Sequence, residues 1–456
     1  MKRHTLIARL GPSDKKQCPG RWEDAHITDV ECLDLLGELD HGLGETLRRL
    51  ADLGLRPQEP AIDLVILAAL VFGADTRIPR GSEAQDGWTR EIEIKIPVAD
   101  VLLWNSVKST MERALKFLTG DLWYLEFRPR LKCNVSLAPV VQSHLAQFSC
   151  VSLFSGGLDS YIGAADLLCR GESPLFVSHY LSHTSSNQKV CLENLKARFP
   201  NASAEFFRAR IGFRSDMIPS LANDPGYEGE RTERSRSFLF FGLAALAASS
   251  LNKAVPVYLP ENGLIALNVP LDRLRVGALS TRTTHPFFVA RFNEVVSMLG
   301  IRANFVNPYR FKTKGEMARE CADAEFISQT AKDTISCSSP GKGRYKGEPP
   351  GHCGHCMPCL IRRAALLSAF GKDSTPYRLS KLRGKLNSKE ASGAHIRSFQ
   401  IALEKMKSSP RYASIAVGIP GPLTDCPDEI PELITVYKRG MHEVGELLKK
   451  VNTAPL

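Results

Sequence analysis

The sequence predicts an α/β protein built on a parallel sheet with helices on both faces. Two observations carry that expectation. From about residue 148 onward, short and almost uninterrupted apolar runs alternate with segments of helical spacing, the pattern of buried strands crossed over by helices. One of these runs, "FSCVSLF", ends in a Ser-Gly-Gly turn that leads straight into a helical segment. A third observation sets the organisation. At 456 residues the chain exceeds one ordinary domain. A small N-terminal α/β module is expected over 1–145, the sheet domain over 146–371 and a helical C-terminal extension over 372–456.

The elements follow in order. "ITDVECLDLLGELDHGLGETLRRLADLG" has helical spacing of Leu and Ile. "AIDLVILAALVFGAD" is apolar throughout and reads as a buried helix or a buried strand. "WTREIEIKIPV" alternates Ile92, Ile94 and Ile96 with charged neighbours, which predicts a strand with one solvated face. "VLLWNSVKSTMERALKFL" reads as a helix and "GDLWYLEFRPR" as a second strand. In the sheet domain, "FSCVSLF", "PLFVSHYL" and "AVPVYLP" read as strands. "SYIGAADLLCRG", "SNQKVCLENLKARF", "RSRSFLFFGLAALAASSL" and "HPFFVARFNEVVSMLG" read as helices, and "AEFFRARI" and "RANFVNPY" follow two of them. "SSPGKGRYKGEPPGHCG" is a Gly- and Pro-rich loop. The last 85 residues read as mainly helical, with a Pro-rich break at "GIPGPLTDCPDEIP".

Composition narrows the class. Hydrophobic residues are 43% and charged residues 24%, as in soluble globular proteins. No run of eighteen apolar residues is present, and the opening "MKRHTLIARLGPSDKK" has too short an apolar stretch for a secretory signal. A cytoplasmic protein with no membrane partner is expected. Twelve cysteines without an export signal should be largely reduced. Cys18, Cys32, Cys133, Cys150, Cys169, Cys191, Cys321 and Cys426 are scattered like small hydrophobes. The net charge of +10 is uneven: 19 Lys+Arg stand against 21 Asp+Glu in 1–150, and 40 against 28 in the rest. That excess favours an anionic ligand beyond residue 150.

The turn Ser155-Gly156-Gly157-Leu158-Asp159-Ser160 is the first chemical motif. Glycines there let backbone N–H groups face a phosphate without a Cβ in the way, and the following helix points its positive end at the same place. Ser155 and Ser160 offer hydroxyls. Asp159 beside a phosphate implies either a Mg²⁺ ligand or a residue that orients the loop. No lysine follows the glycines, so this is not the P-loop of kinases and GTPases. It resembles the PP-loop of the ATP pyrophosphatase family, SGGxDS, at all its fixed positions. That resemblance implies the adenine nucleotide α-hydrolase-like fold and cleavage of ATP between its α and β phosphates.

The second motif is Cys337, followed by Cys353, Cys356 and Cys359. Three cysteines at x₂ spacing with a fourth upstream can close a tetrahedral thiolate site, and Gly354 permits a tight knuckle. Four thiolates with no open position make a structural Zn²⁺ the expected occupant. An iron–sulfur cluster or a redox disulfide is the alternative, and His352 and His355 are substitute ligands.

Both motifs in one chain, about 180 residues apart, resemble the 7-cyano-7-deazaguanine synthase (QueC) family over about 148–370. "ERSRSFLFFGLAALA" resembles the family's arginine segment, with Arg236 at the arginine. "NPYRFKTKGEMARE" resembles its lysine segment, with Thr313 and Lys314 expected to meet the ATP phosphates. The family's Tyr-Gly-Gln-Arg-His segment and its Tyr-Pro-Asp-Cys substrate loop are missing. In their places stand "SHYLSHTSSNQK" and "YLPENGLIALNVPLDRLRVGALSTRTTHPFF". "PENGLIALNVPL", "STRTTHP" and "TKGEMA" are similar to the QueC-like subunits of Qat anti-phage defence systems, which carry an extra N-terminal module. Glu261 and Asn262 follow a strand at its carboxyl end, where substrate should lie. His285 is a further candidate there.

The resemblance implies ATP- and Mg²⁺-dependent activation of a 7-carboxy-7-deazaguanine-like carboxylate, with Asp159, Lys314 and Arg236 as catalytic residues. An amine then attacks and AMP leaves. The amine is expected on a partner protein of a defence operon; ammonia, giving amide or nitrile, is the alternative. A PP-loop tRNA thiolase with redox cysteines is another reading. It draws on the stretch 362–411, with 12 Lys+Arg against 3 Asp+Glu, although Phe370, Tyr377 and Phe399 are too sparse there to form an interleaved stacking set. A non-enzymatic ATP-binding defence subunit is the reading from a different class.

Overall fold

A computed structural model describes residues 2–34, 37–132, 136–141, 148–180, 185–230, 232–251, 253–271, 282–382 and 385–454. Cys133 and most of the segment "LDRLRVGALST" lie outside the described residues. Two parallel sheets dominate.

The first is built from β1 (His4–Arg9), β2 (His26–Glu31), β3 (Glu91–Val98) and β4 (Leu122–Pro129), in the order β2-β1-β3-β4. It carries α1 (Leu43–Asp52), α2 (Glu59–Arg77), α3 (Arg80–Glu83) and α4 (Val101–Thr119). Three expectations are corrected or decided here. Ile27–Glu31 is a strand, not helix; in-register pairing of His26–Glu31 with His4–Arg9 outweighs the local spacing. β3 has no solvated face. Glu93 and Lys95 are both buried, because Glu93 accepts from Thr5 Oγ1 at 2.9 Å and the Lys95 ammonium lies 2.5 Å from Glu126 and 3.5 Å from Glu93. The apolar run 61–75 is helical: α2 is 19 residues long, well beyond an ordinary strand.

The second sheet runs β7-β6-β5-β8-β9, all parallel. Its strands are β5 (Cys150–Leu153), β6 (Pro174–His179), β7 (Glu205–Ala209), β8 (Val255–Tyr258) and β9 (Ala303–Val306). The helices between and after them are α5 (Leu158–Cys169), α6 (Ser185–Arg198), α7 (Pro219–Ala222), α8 (Arg236–Ser249), α9 (Gly263–Leu267), α10 (Pro286–Met298), α11 (Lys314–Arg319), α12 (Ala324–Thr330) and α13 (Met357–Phe370). Strand side chains alternate between two cores. Val151, Leu175 and Val177 pack with α8 and α10. Cys150 and Phe176 pack with Tyr161, Ile162 and Ala165 of α5. Helices therefore cover both faces. The first core continues through α2 into the first sheet, because α2 lies on α8 so closely that a Cβ at Gly242 would stand 3.1 Å from Ala68 Cβ.

The C-terminal region is mainly helical, as expected. It comprises α14 (Ala391–Ser408), α15 (Tyr412–Gly418) and α16 (Ile430–Leu448), which share a third core with α9 and α13. A short parallel pair, β10 (Lys385–Asn387) and β11 (Asn452–Ala454), was not expected. Among the described residues no helix is long and apolar enough to cross a membrane.

Candidate functional site

β5 is the centre of its sheet. The chain leaves it through α5 to β6 on one side, while β8 pairs with it on the other. Connections diverge there, so the carboxyl ends of β5 and β8 mark the position at which open α/β sheets bind ligands. The loop Ser155–Ser160 occupies that position. Gly156 has φ +78°, and a Cβ there would stand 2.7 Å from Asn187 Nδ2, so both backbone and space require glycine. The loop is held from outside: Asn187 Nδ2 and Ile335 N each donate to Gly156 O at 3.0 Å, and Gln188 Nε2 donates to Ser155 O at 3.2 Å. It is also closed on itself. Ser155 N donates to Ser160 Oγ and Gly157 N to Ser155 Oγ, both at 3.2 Å. Ser160 Oγ donates to Gly157 O at 3.0 Å. The first turn of α5, with the positive end of its dipole, opens at the same place.

Asp159 sits in that first turn and is 9% exposed. Lys314 Nζ lies 2.7 Å from its Oδ1, and Asn262 Nδ2 donates to its Oδ2 at 2.7 Å. Local chemistry aims both partners. Lys314 opens α11, whose start is fixed by a capping box: Thr313 Oγ1 accepts from Glu316 N at 3.0 Å, and Glu316 Oε2 accepts from Thr313 N at 2.8 Å. The Thr313 hydroxyl donates in turn to Glu443 of α16. Burial raises the Glu443 carboxyl above its ordinary range, against the Thr313 hydrogen bond. Asn262 caps α9, its Oδ1 accepting from Ile265 N at 3.1 Å. Thr313 and Asn262 are thus holding groups, and their hydrogen-bonding atoms are engaged within the protein.

Glu261 stands at the carboxyl end of β8, partly open to solvent. Asn307 Nδ2 donates to its carbonyl at 2.8 Å, and the Thr284 hydroxyl donates to its carboxylate. Burial pushes the Glu261 carboxyl up to about 7; the Thr284 bond and Lys314 pull it down, and Asp159 pushes it up. Arg236 opens α8. It pairs with Glu233 at 3.1 Å and reaches the His179 carbonyl at 3.4 Å, beside Gln188. His285 is placed differently. It caps α10 through Nδ1, 3.2 Å from Phe287 N, and packs on the Phe117 ring at 5.0 Å. The structure therefore gathers Ser155–Ser160, Asn262, Thr313 and Lys314, sets Glu261 and Arg236 at neighbouring strand ends, and gives His285 a capping place.

The four cysteines also converge. The Sγ atoms of Cys337, Cys353, Cys356 and Cys359 lie within 4.8 Å of one another and could hold a metal ion. Cys337–Cys356 and Cys353–Cys359 are each separated by 3.9 Å, close to the roughly 3.8 Å edge of a tetrahedron with Zn–S bonds of about 2.3 Å. Backbone N–H groups support the sulfurs: Cys356 N to Cys353 Sγ at 3.3 Å, and Cys353 N to Cys337 Sγ at 3.5 Å. Gly354 has φ +88°, and a Cβ there would meet Leu379 O at 2.6 Å, as a tight knuckle requires. Hydrogen bonding, first from Cys337, draws the Cys353 thiol far down and the Cys356 thiol down to about 6. Those two shifts favour thiolate, whereas the same hydrogen bonding raises the Cys337 thiol, first through Cys353, and the Cys359 thiol, first through Cys337.

The cluster and the glycine loop touch. Ser336, next to Cys337, donates its N–H to His352 Nε2 at 3.1 Å and accepts from Leu158 N at 3.5 Å. Arg362 braces this strip from α13, its guanidinium 2.7 Å from Thr334 Oγ1 and 3.4 Å from Ser336 Oγ. Asn187, Gln188, Thr284, Asn307, Ser336 and Glu443 carry no local motif; only their long-range contacts mark them.

Compared with known proteins, the chain matches no protein-family model, and no curated protein or solved structure is significantly similar to it.

Proposed function

We propose that the chain is an ATP-dependent carboxylate-activating enzyme. The observation that carries this reading is the self-closed Ser-Gly-Gly-Leu-Asp-Ser loop at the carboxyl end of the central strand, with Lys314 on Asp159. Its sequence likeness to the PP-loop is the reason to seat ATP with Mg²⁺ there. The loop N–H groups and the positive end of α5 would take the phosphates, and Lys314 would neutralise charge that develops as pyrophosphate leaves. The acceptor of AMP is a 7-carboxy-7-deazaguanine-like carboxylate, a choice supported by the combined loop and cysteine motifs of the 7-cyano-7-deazaguanine synthase family. An amine then displaces AMP. The altered segments around "PENGLIALNVPL" and "STRTTHP" favour an amine on a partner protein in anti-phage defence over ammonia. Cys337, Cys353, Cys356 and Cys359 would hold a structural Zn²⁺, which gives all four a common ligand and leaves the tRNA-thiolase reading without its redox cysteines.

Carboxylate-dependent exchange of labelled pyrophosphate into ATP tests the activation step. Mass analysis of partner proteins after incubation with ATP, Mg²⁺ and 7-carboxy-7-deazaguanine tests the transfer. A purified chain that binds ATP but never forms AMP would leave the non-enzymatic reading in its place.

A further inference from the structure

Glu261 directly precedes Asn262, which binds Asp159, and its side chain keeps partial solvent access at the end of β8. Three contacts fix it at the carboxyl end of β8. Asn307 clamps its carbonyl at 2.8 Å. The next residue, Asn262, is tied to Asp159 at 2.7 Å. The Thr284 hydroxyl, from the "STRTTHP" segment, binds carboxylate Oε2. A structural carboxylate at this depth would be expected to hold a cation. Here the nearby ammonium of Lys314 is engaged with Asp159 at 2.7 Å, and among the described residues the partner of the Glu261 carboxylate is a neutral hydroxyl. The group is oriented, makes no ion pair among the described residues, and stands beside the expected site of acyl transfer.

We propose that Glu261 is the general base that deprotonates the attacking amine, an assignment that rests on the carboxylate-activation reading above. The amine nitrogen forms a bond to the acyl carbon, and the bond from that carbon to the AMP phosphate oxygen breaks. AMP leaves with the electron pair, and the proton from nitrogen passes to the carboxylate oxygen that Thr284 does not hold. Thr284 is then a positioning residue. The groups that face Glu261 are consistent with this work. Burial raises its carboxyl to about 7 and Asp159 adds to the rise, while Thr284 and Lys314 oppose it, so it both accepts and releases a proton near neutrality.

The test compares two steps on one preparation of full-length Glu261→Gln, a change that keeps the hydrogen-bond acceptor for Thr284. The substrates are ATP, Mg²⁺ and 7-carboxy-7-deazaguanine. Transfer to ammonia should fall about 10²- to 10⁴-fold relative to pyrophosphate exchange. Transfer to hydroxylamine, which is unprotonated and strongly nucleophilic at neutral pH, should fall far less. Glu261→Asp should recover part of the ammonia reaction. At constant concentration of free ammonia, the wild-type transfer rate should rise with pH through about 7, and Glu261→Gln should lose that rise. Equal losses of exchange and of transfer to both nucleophiles, or undiminished transfer to ammonia, would overturn the assignment while activation stands. Absence of exchange in the wild type would instead overturn the activation reading itself, and this assignment with it.

Discussion

Lys314 Nζ lies 2.7 Å from Asp159 Oδ1 with both side chains largely shielded from water, so α11 and the glycine loop are joined by one ion pair. Removing either partner leaves a buried charge uncompensated, which costs about 3–5 kcal/mol. Lys314→Met and Asp159→Asn should each lower the unfolding midpoint and abolish AMP formation. The double variant should regain part of the lost stability, because no uncompensated charge remains, but none of the activity. Thermal melts and AMP release on the three variants check this. Strictly additive losses of stability would mean that the two groups act separately.

Gly156 offers a narrower probe of the loop. At φ +78°, with Asn187 Nδ2 only 2.7 Å from where a Cβ would stand, alanine must strain the backbone and push α6 away. Gly156→Ala should cost about 1–3 kcal/mol and weaken binding of an ATP analogue. Asn187→Ala in the same chain should relieve the clash but not the backbone strain. Calorimetric titration of the single and double variants measures the split, and wild-type affinity in Gly156→Ala would count against the loop as the phosphate site.

The parts of this site that the sequence displays are the ones encoded locally. Ser155–Ser160 and the cysteine spacing lie in short windows, as do the Thr313–Glu316 cap and the strand end at Glu261. What escapes a linear reading depends on residues far apart. β1 passes unnoticed because a six-residue central strand buried on both faces shows no alternation. Ile27–Glu31 has helix-like spacing and becomes a strand only by pairing with β1. Glu93 and Lys95 look solvated until Thr5 and Glu126 supply partners. Glu443 reaches Thr313 across 130 positions, a contact without any local trace. His285, which the sequence leaves open between a substrate site and a loop hydrogen-bonder, precedes a proline that opens a helix, and its imidazole caps that helix.

The strip from Cys337 to Ser336 makes the cysteine cluster a neighbour of the glycine loop: Ile335 N bonds to Gly156 O at 3.0 Å and Ser336 receives Leu158 N at 3.5 Å. Metal loss should therefore be felt at the nucleotide site. Elemental analysis should find about one zinc per chain. Cys356→Ser should lose the metal and melt at lower temperature, since ligation contributes folding free energy. Chelation of the wild-type protein should weaken binding of an ATP analogue before global unfolding sets in. An unchanged dissociation constant in metal-free, still-folded protein would sever the two sites. An iron chromophore in anaerobically purified protein would replace zinc with a cluster.

Glu261 also predicts a pH signature that needs no substrate. Its carboxyl is raised from an ordinary value of 4.5 to about 7, chiefly by burial. Between those values the folded protein holds a proton that the unfolded chain releases. The resulting stability is fully present below about 4.5 and is lost as pH rises through about 7. Glutamine cannot ionise, so Glu261→Gln escapes that loss. The variant should match the wild type near pH 5 and exceed it near pH 8 by about 1–3 kcal/mol, the order set by such a shift for a group that keeps some contact with water. Urea unfolding of both proteins at the two pH values measures the difference. A stability gap that stays constant from pH 5 to 8 would mean that this carboxylate ionises in the folded state as it does in the unfolded chain, and the desolvated environment assigned to it at the end of β8 would be wrong.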